Sequence, residues 1–375
     1  MIDKKKIVFL TGTRADFGKI KSLIKICRES DLFEVYIFAT GMHMHHKYGY
    51  TLKEIEKSGF DNIYKFINYT SETTMDLTLA KTVEGFSSYC QEEKPDLIVV
   101  HGDRLEALAG AIVGSMNNIK VAHIEGGEVS GTIDELIRHA VSKLSHLHFV
   151  SNGLAKNRLL KMGESESCVF EIGSPDIDLM KSNELPELKE VLDYYDIEFE
   201  KYAILMFHPV TSEEHLMAEA THNIVKAANE SGLNFIVIYP NNDLGSGHIL
   251  RNLITLEGNP KFKVFPSLRF EYFLTLLKNA QFIIGNSSAG IREAPHFGVP
   301  TINIGSRQRN RALNSEIIEC SYQFLSIKQG IESAILLNRY VPVELFGQGN
   351  SAELFYSIIS EKDIWNLDTQ KIFLD

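Results

Sequence analysis

The chain has 375 residues, more than one compact core usually needs, and this length suits two domains of ordinary size. Its 44% hydrophobic and 23% charged residues are typical of an ordered globular protein. A net charge of -11 argues against nucleic acid and anionic membranes as partners, because both repel an acidic surface. Any anionic ligand therefore requires a local pocket of basic side chains.

The first residues and the cysteines together predict a cytoplasmic protein. The start, MIDKKKIVFLTGT, is basic, but its apolar run is too short for a signal peptide or a membrane-spanning helix. The cysteines are widely spaced and form no CxxC pair, which favours reduced, buried thiols over disulfides or zinc ligands. They are Cys27, Cys90, Cys168 and Cys320.

Taken in order, the chain shows two copies of one α/β pattern. From Ile7 to Phe149, β-rich runs alternate with helical periodicity, which predicts parallel strands joined by crossover helices. The runs are IVFLT, EVYIFAT, NIYKFI, DLIVVHG, IKVAHIE and LHFV, and the helices span 15–29, 75–93, 104–117 and 133–145. A second copy begins near Tyr202 with AILMFHP, NFIVIYPN, FKVFPS, QFIIGNSS and PTINIGS. We therefore expect two Rossmann-like domains.

Turn-forming residues and prolines mark the connection between the two copies. The segment 173–186, GSPDIDLMKSNELP, is expected to join the domains and to act as a hinge. We accordingly place one domain at residues 1–175 and the other at 176–355. A final helix is predicted over 352–365, and we expect the last part of the chain, 356–375, to pack back toward the first domain.

The densest group of polar residues is the stretch HIEGGEVSGTIDELIRH at 123–139. Glu125 follows an apolar, strand-like run, whereas Asp134 and Glu135 fall in the first turn of a helix, where the helix dipole favours carboxylates. Ligands of open α/β sheets bind at the carboxyl ends of strands, so these acids are candidate site residues. The alternative is a solvated loop residue followed by ordinary first-turn acids.

Two further turns of the first domain follow predicted strands. In GTRAD, Arg14 could grip two phosphate oxygens as a fork, or it could pair on the surface with Asp16. In HGDR, Asp103 is expected to face the same crevice as Glu125, because parallel strands align their carboxyl ends. The alternative is that Asp103 only forms an internal ion pair with Arg104.

Neither a dinucleotide cofactor nor a metal ion is expected. The first turn carries two glycines where the GxGxxG fingerprint needs three, so a nicotinamide or flavin is disfavoured despite the fold. The segment MHMHH at 42–46 is rich in histidine. Adjacent histidines on a loop rarely share one ion, and no acidic residue follows at ligand spacing. We therefore interpret this segment as a non-metal site.

The second domain repeats this placement of polar residues after strands. His208 follows AILMF, although a lone histidine is more often structural. Asn241 lies in PNND and could hydrogen-bond a base or ribose, or simply form a turn. Ser287 and Ser288 open a helix and could donate hydrogen bonds to a diphosphate, with Glu293 one turn further on for ribose hydroxyls.

Three arginines follow in one loop, GSRQRNR, of an otherwise acidic protein. They are Arg307, Arg309 and Arg311. A loop of this kind can bind phosphate, and the alternative is a solvated basic face.

Six motifs, in order over residues 8–310, resemble those of the hydrolysing UDP-N-acetylglucosamine 2-epimerases, the enzymes that open sialic acid synthesis. They are GTRAD, HGDR, HIEGGEVSGTIDELIRH, HPV, NSSAGIRE and INIGSRQ. The reversible relatives typically have GTRPE and an HVEAGLR-like segment, so the chain resembles the hydrolysing branch. The resemblance implies a GT-B fold, with two facing Rossmann-like domains, parallel sheets and an interdomain cleft. It also implies a UDP-sugar ligand, no cofactor, and a homodimer or homotetramer.

The same resemblance implies roles for individual residues. The catalytic carboxylates match Asp103, Glu125 and Glu135, joined by Asp134, and the family's histidine from the second domain matches His208. The positions that bind the UDP moiety match Arg14, Arg104, Asn241, Ser287, Ser288, Glu293 and Arg307. His139 receives no role beyond supporting its helix.

The implied reaction converts UDP-N-acetylglucosamine and water into N-acetylmannosamine and UDP by way of 2-acetamidoglucal. One alternative is the same reaction on a UDP-2,4-diacetamido-trideoxy sugar, as in a legionaminic acid type pathway. Others are a GT-B glycosyltransferase and a non-catalytic sensor of nucleotide sugars. The four acids argue against a transferase, and release of UDP without an acceptor would exclude it.

Overall fold

The computed structural model of the chain describes residues 4–46, 49–69, 74–130, 132–241, 243–308 and 317–372. The strands are β1 (Lys5–Thr11), β2 (Phe33–Ala39), β3 (Ile63–Lys65), β4 (Leu97–His101), β5 (Lys120–Ile124), β6 (Leu147–Val150), β7 (Val169–Glu171), β8 (Ala203–Met206), β9 (Phe235–Ile238), β10 (Phe262–Phe265), β11 (Ile283–Gly285), β12 (Thr301–Ile304) and β13 (Ile317–Cys320). The α-helices are α1 (Arg14–Arg28), α2 (Leu52–Lys57), α3 (Met75–Glu93), α4 (Leu105–Met116), α5 (Ile133–Leu144), α6 (Gly153–Lys161), α7 (Pro175–Lys181), α8 (Leu188–Tyr194), α9 (Met217–Ser231), α10 (Ser246–Leu253), α11 (Phe270–Asn279), α12 (Glu293–His296), α13 (Phe324–Leu337), α14 (Ser351–Ser360) and α15 (Lys362–Trp365). In these ranges, no helix is long and apolar enough to cross a membrane.

The elements form two compact units. The first contains the described residues up to Glu128, Asp134–Asn183 and the residues from Phe346 onward. The second contains Val129–Ile133 and Glu184–Leu345. The chain therefore returns to the first unit after completing the second. The domain bounds inferred from the sequence, 1–175, 176–355 and 356–375, stay a prediction.

Each unit is built on a parallel sheet, and the two sheets share one strand order over six strands, to which the first sheet adds a seventh. Within the described residues, the first sheet runs β3-β2-β1-β4-β5-β6-β7 and the second runs β10-β9-β8-β11-β12-β13. In both, the connections reverse direction between the first strand of the unit and its fourth, β1 beside β4 and β8 beside β11. This switch point opens a crevice at the carboxyl ends of the strands. The expected α/β class with two parallel sheets is confirmed.

The helices predicted from periodicity agree with α1, α3, α4 and α5 to within one residue at each end. Two short strands, β7 and β13, were not predicted. The single helix predicted over 352–365 is wrong, because Glu361 adopts an extended conformation (φ -74°, ψ 135°) and separates α14 from α15. Among the cysteines expected to be buried, Cys168 is only partly buried.

Helix α1 shows how the sequence sets an element that carries site residues. Thr13 is extended at φ -141°, and its hydroxyl accepts the backbone N–H of Asp16 at 3.1 Å, which caps the helix. Ile20, Leu23 and Ile24 then recur at helical spacing and are fully buried against the sheet. Each such side chain stabilises the fold by about 1.5 to 3 kcal/mol. The packed face fixes the first turn, and with it Asp16, over the end of β1.

Helix α14 completes the core of the first unit. Phe355 is fully buried, with its ring centroid 4.7 Å from that of Phe149 and 6.5 Å from that of Phe9. The carboxylate of Asp178 in α7 accepts the backbone N–H of Ser351 at 2.8 Å and so caps α14. The returning chain is thus integral to this unit.

The segment 173–186 is more ordered than its turn-forming residues suggest. Pro175 occupies the first turn of α7, where a missing N–H costs nothing. Before it, Gly173 (φ +82°) crosses Gly347 (φ +125°), and a Cβ on Gly173 would lie 3.0 Å from the Cα of Gly347. Only glycine allows this close crossing. A hinge in this segment stays a prediction.

The end of the chain is held by a buried carboxylate. Lys371 Nζ lies 2.5 Å from Glu164 Oε2 and donates to the carbonyl of Ser145 at 2.7 Å. His148 and Lys143 also contact Glu164, at 3.0 and 2.7 Å. Burial alone would raise the pKa of Glu164, but these partners lower it to about 2.

We predict that Glu164→Gln lowers the free energy of unfolding at pH 7 by about 1.5 to 3 kcal/mol, as expected for charge-assisted hydrogen bonds. The folded pKa of Glu164 lies below the unfolded value of 4.5, so its contribution is present above pH 4.5 and is lost as the pH falls toward 2. Urea denaturation at pH 7 and at pH 3 measures the difference. Glu166→Gln, at an exposed ion pair with Lys156, is the matched control. An equal loss at both pH values would contradict the account.

Candidate functional site

Polar side chains collect at the carboxyl ends of β1, β4 and β5, beside the switch point of the first sheet. The ring of His101, the last residue of β4, lies between the carboxylates of Asp16 and Glu125. Its Nδ1 is 3.4 Å from Asp16 Oδ1, and its Nε2 is 3.1 Å from Glu125 Oε2. The three side chains are at most 10% exposed. Strand alignment therefore concentrates charged side chains at a position with little solvent access.

Glu125 is fixed both by its backbone and by its side chain. Its φ of +62° is in the left-handed region, which is uncommon for a residue other than glycine. Its backbone N–H donates to the carbonyl of Phe149 at 2.8 Å, and the hydroxyl of Ser174 donates to Oε1. Glu125 is only 3% exposed, so the alternative of a solvated loop residue is wrong.

Arg138 in α5 joins the ends of β4 and β5. Its Nη1 donates to the carbonyl of Glu125 at 2.6 Å, and its Nη2 donates to the carboxylate of Asp103. The guanidinium is almost fully buried, whereas the Asp103 side chain is 20% exposed. The structure thus brings Asp103 and Glu125 to one crevice, with one carboxylate partly open to solvent. Asp103 forms an internal ion pair, as the alternative interpretation held, and Arg138 is a partner in that pair.

The two histidines of the crevice differ in charge because their neighbours differ. Burial opposes a charge on His101, but the carboxylates of Glu125 and Asp16 raise its pKa to about 9. Burial lowers the pKa of His123 to about 3, and its ring contacts Ser142 Oγ at 3.1 Å and the carbonyl of Gly102 at 2.8 Å. At neutral pH, His101 is therefore charged and His123 is neutral.

The first turn of α5 carries the remaining acids of the HIEGGEVSGTIDELIRH motif. Asp134 is buried, whereas the side chain of Glu135 is 38% exposed. His139 Nε2 lies 3.3 Å from Glu135 Oε1, one turn along the same helix. This contact accounts for His139 as a residue that supports its helix.

The two arginines expected near UDP in the first unit lie beside the same strand ends. Arg14 Nη2 is 3.7 Å from Glu54 Oε1, so its partner is Glu54 instead of the alternative, Asp16. Arg104 is the extended N-cap residue of α4, directly after Asp103.

The histidines of the segment 42–46 have structural partners. His43 is fully buried between the hydroxyls of Thr11, at 3.1 Å, and Thr51, at 2.8 Å, and burial lowers its pKa to about 4. His45 and His46 each stack on a tyrosine ring, at centroid distances of 4.5 and 4.8 Å. The part of the chain with described positions holds no group of three or more acidic, histidine or cysteine side chains suited to a metal ion.

In the second unit, His208 follows β8 at the switch point and is held by two asparagines. Asn286 accepts the backbone N–H of His208 at 2.6 Å and donates to its carbonyl at 2.8 Å. The backbone N–H of Asn241 donates to His208 Nδ1 at 3.1 Å, so that nitrogen carries no proton. The side chain of Asn241 donates to Asp243 Oδ2 at 2.5 Å.

The segment after β11 collects the other expected residues of the second unit. Ser287 caps the short 3-10 helix Ser288–Gly290, with its hydroxyl 3.3 Å from the N–H of Ala289. Arg307 Nη1 donates to the carbonyl of Asn286 at 3.3 Å, and Glu293 is buried in α12. The neighbouring arginines predicted with Arg307 lie outside the described residues. They are Arg309 and Arg311.

Sequence reasoning missed the residues that hold the predicted ones in place. Asp16 and His101 lie inside the motifs GTRAD and HGDR, so their position after a strand was an available signal. Ser174 and Asn286 had weaker signals, because their roles depend on contacts between distant segments. The missed residues are Asp16, His101, Arg138, Ser174 and Asn286.

Comparison with known proteins identifies the class of protein to which this chain belongs. A family model described as UDP-N-acetylglucosamine 2-epimerase matches residues 25–360. A protein of Neisseria meningitidis named UDP-N-acetylglucosamine 2-epimerase is 46% identical over 99% of both chains. The UDP-N,N'-diacetylbacillosamine 2-epimerase (hydrolyzing) of Legionella pneumophila is 33% identical over 95% of both.

A solved structure agrees with the fold. The UDP-GlcNAc 2-epimerase of Methanocaldococcus jannaschii, in complex with UDP-GlcNAc and UDP, superimposes with a TM-score of 0.80 at 22% identity, covering 95% of this chain and 99% of that one. The chain belongs to the UDP-N-acetylglucosamine 2-epimerase family. The family expected from the six motifs is thereby confirmed.

We predict that Arg138→Met lowers the free energy of unfolding by about 3 to 5 kcal/mol, because it removes the buried charge that Asp103 faces. The double variant Asp103→Asn with Arg138→Met should lose less than the sum of the two single variants, since both remove one interaction. Urea denaturation of the three variants measures this coupling. Strictly additive losses would show that the pair contributes nothing jointly.

Proposed function

We propose that this protein is a hydrolysing UDP-N-acetylglucosamine 2-epimerase, which converts UDP-N-acetylglucosamine and water into N-acetylmannosamine and UDP. The observation that carries the proposal is the Arg138 bridge, which holds Asp103 and Glu125 at adjacent strand ends of the first unit. A relative of that name, identical at 46% of positions over nearly the whole chain, supports it. This reaction would be the first step of sialic acid synthesis.

The proposed chemistry requires more than one carboxylate. The C2 proton of N-acetylglucosamine is barely acidic, so its removal needs the anomeric carbon to gain positive charge as UDP leaves. One carboxylate takes the C2 proton while the C1–O bond to UDP breaks, and a double bond forms between C1 and C2. A second carboxylate stabilises the oxocarbenium-like charge, as in glycosidases. Water then adds its hydroxyl to C1 and a proton returns to C2 from the opposite face.

We assign the C2 proton to Glu125 and the stabilisation of charge to Asp103, with Asp134, Glu135 and His208 as further catalytic groups. The burial of Glu125 supports its role, because a carboxylate shielded from water transfers protons more effectively. The partial exposure of Asp103 leaves that carboxylate accessible to a bound sugar.

We propose that basic and hydroxyl side chains bind the departing diphosphate. Arg307 is anchored on the carbonyl of Asn286, directly before Ser287, so a guanidinium and hydroxyls lie at one strand end. Charge-assisted hydrogen bonds of this kind suit phosphate oxygens. The other proposed UDP contacts are Arg14, Arg104, Asn241, Ser288 and Glu293. The elimination and the hydration leave the overall oxidation state unchanged, so no redox cofactor is needed.

A second candidate substrate is a UDP-2,4-diacetamido-trideoxy sugar. It is supported by the relative named UDP-N,N'-diacetylbacillosamine 2-epimerase (hydrolyzing), which is 33% identical over 95% of the chain. The higher identity to the N-acetylglucosamine enzyme favours UDP-N-acetylglucosamine. We also propose a cytoplasmic homodimer or homotetramer, whose number of subunits light scattering would give.

We predict that the protein, given UDP-N-acetylglucosamine and no acceptor, releases UDP and N-acetylmannosamine in equal amounts, and faster than it acts on the diacetamido sugar.

Glu125→Gln should lower turnover by about two to four orders of magnitude with little change in substrate affinity, because it keeps the shape but removes the base. Coupled UDP assays, chromatography of the released sugar and calorimetry measure these quantities.

The matched control is Glu166→Gln, which alters an exposed ion pair and should leave turnover unchanged. UDP release that requires an added acceptor would identify a glycosyltransferase instead. Binding of the nucleotide sugar without turnover would identify a sensor.

A further inference from the structure

The ring of His101 has a carboxylate at each nitrogen. Asp16 Oδ1 lies 3.4 Å from Nδ1, and Glu125 Oε2 lies 3.1 Å from Nε2. His101 and Asp16 are not among the residues that the resemblance assigns to catalysis or to UDP binding. The bridge therefore adds residues to the proposed site.

Both carboxylates are oriented by other donors. His101 Nε2 forms a hydrogen bond with Glu125 Oε2, whereas Nδ1 forms a longer ion-pair contact with Asp16 Oδ1. The backbone N–H of Gly12 and the hydroxyl of Thr11 donate to Asp16 Oδ2 at 2.8 and 2.9 Å, which turns Oδ1 toward the ring. The hydroxyl of Ser174 donates to Glu125 Oε1, which turns Oε2 toward the ring. His101 thus completes a line of contacts from α1 to the turn after β5.

The two carboxylate neighbours favour a positive charge on the ring. A carboxylate can only accept hydrogen bonds, and neutral imidazole has one N–H donor whereas imidazolium has two. A neutral ring would point a lone pair at one of the two carboxylates. We infer that His101 is a positioning residue that bridges Asp16 and Glu125 as an imidazolium and fixes the Glu125 carboxylate for proton transfer, which rests on the function proposed above.

The surroundings of the bridge support a positive charge. Asp16 from α1 and Glu125 from the turn after β5 face His101, neutral His123 of β5 lies beside them, and Arg138 of α5 donates to the carbonyl of Glu125. Without a cation between them, two nearly buried carboxylates would repel, and one would tend to take up a proton. A protonated Glu125 could not act as a base. The imidazolium therefore keeps Glu125 both ionised and aimed.

The activity test compares His101→Gln with the unmutated protein. Glutamine keeps a neutral N–H donor near the position of Nε2 but carries no charge and leaves Asp16 unbridged. We expect kcat to fall by about 10- to 100-fold while KM changes little, as for a displaced catalytic group. His248→Gln, on the surface of the second unit, should leave both constants unchanged. A higher KM with an unchanged kcat would overturn the positioning role.

The stability test needs no substrate, so it separates failure of the bridge from failure of the proposed function. The folded pKa of His101, about 9, lies above the ordinary value of 6.5. Its stabilising effect is therefore complete below pH 6.5 and is lost as the pH rises through 9. The difference in unfolding free energy between the unmutated protein and His101→Gln should shrink between pH 6 and pH 9.5.

His146→Gln gives the control of opposite sign. His146 Nδ1 accepts the backbone N–H of Val121 at 3.0 Å, and burial lowers the pKa of this histidine, so its contribution should shrink as the pH falls below 6.5.

Should His101→Gln fail to fold, the nuclear magnetic resonance spectrum of the unmutated protein labelled with 15N-histidine tests the bridge. One ring that has both nitrogens protonated at pH 7.5, and that loses its second proton only near pH 9, supports the bridge. A spectrum in which none of the 13 histidine rings is doubly protonated at pH 7.5 would overturn it.

Discussion

The guanidinium of Arg138 ties together the carboxyl ends of two neighbouring strands, and the geometry of the first unit's site depends on it. It donates to the carbonyl of Glu125 and to the carboxylate of Asp103 from a nearly dry position. Glu125 holds a left-handed backbone conformation that costs about 1 to 2 kcal/mol for a residue with a side chain. Hydrogen bonds from Arg138, and between Glu125 and Phe149, offset that cost and keep the carboxylate in the crevice.

In the second unit, a buried amide side chain holds the segment after the strand at the switch point. Asn286 follows β11 at the switch point, and its side chain holds both backbone groups of His208. Its own carbonyl accepts Arg307 Nη1 at 3.3 Å and Gln308 Nε2 at 2.8 Å. One amide residue therefore orders three segments that carry expected ligand-binding residues. Gly285, directly before it, must be glycine, because a Cβ there would lie 1.9 Å from the carbonyl oxygen of Met206.

The sequence predicted what local patterns determine. Apolar runs and helical spacing located the major strands and placed α1, α3, α4 and α5 within one residue, because each buries a continuous face against its sheet. Strand ends also predicted that Asp103 and Glu125 share a crevice, since parallel register aligns them.

The contacts that fix these acids were not predictable locally. Ser174 reaches Glu125 only because β5 and the segment before α7 meet in the folded unit, and Lys371 reaches Glu164 across most of the chain. Arg14 pairs with Glu54 and not with its near neighbour Asp16, because His101 and the first turn already engage that carboxylate. The catalytic and UDP-binding roles stay predictions.

We propose that the carboxylates at the ends of β4 and β5 carry out elimination followed by hydration. The reaction run in deuterated water, with nuclear magnetic resonance of the released sugar, tests this proposal. Elimination breaks the C2–H bond and hydration rebuilds it from solvent, so the account predicts N-acetylmannosamine with deuterium at C2. A released sugar that keeps its original hydrogen at C2, in an assay where UDP is shown to form, would contradict it.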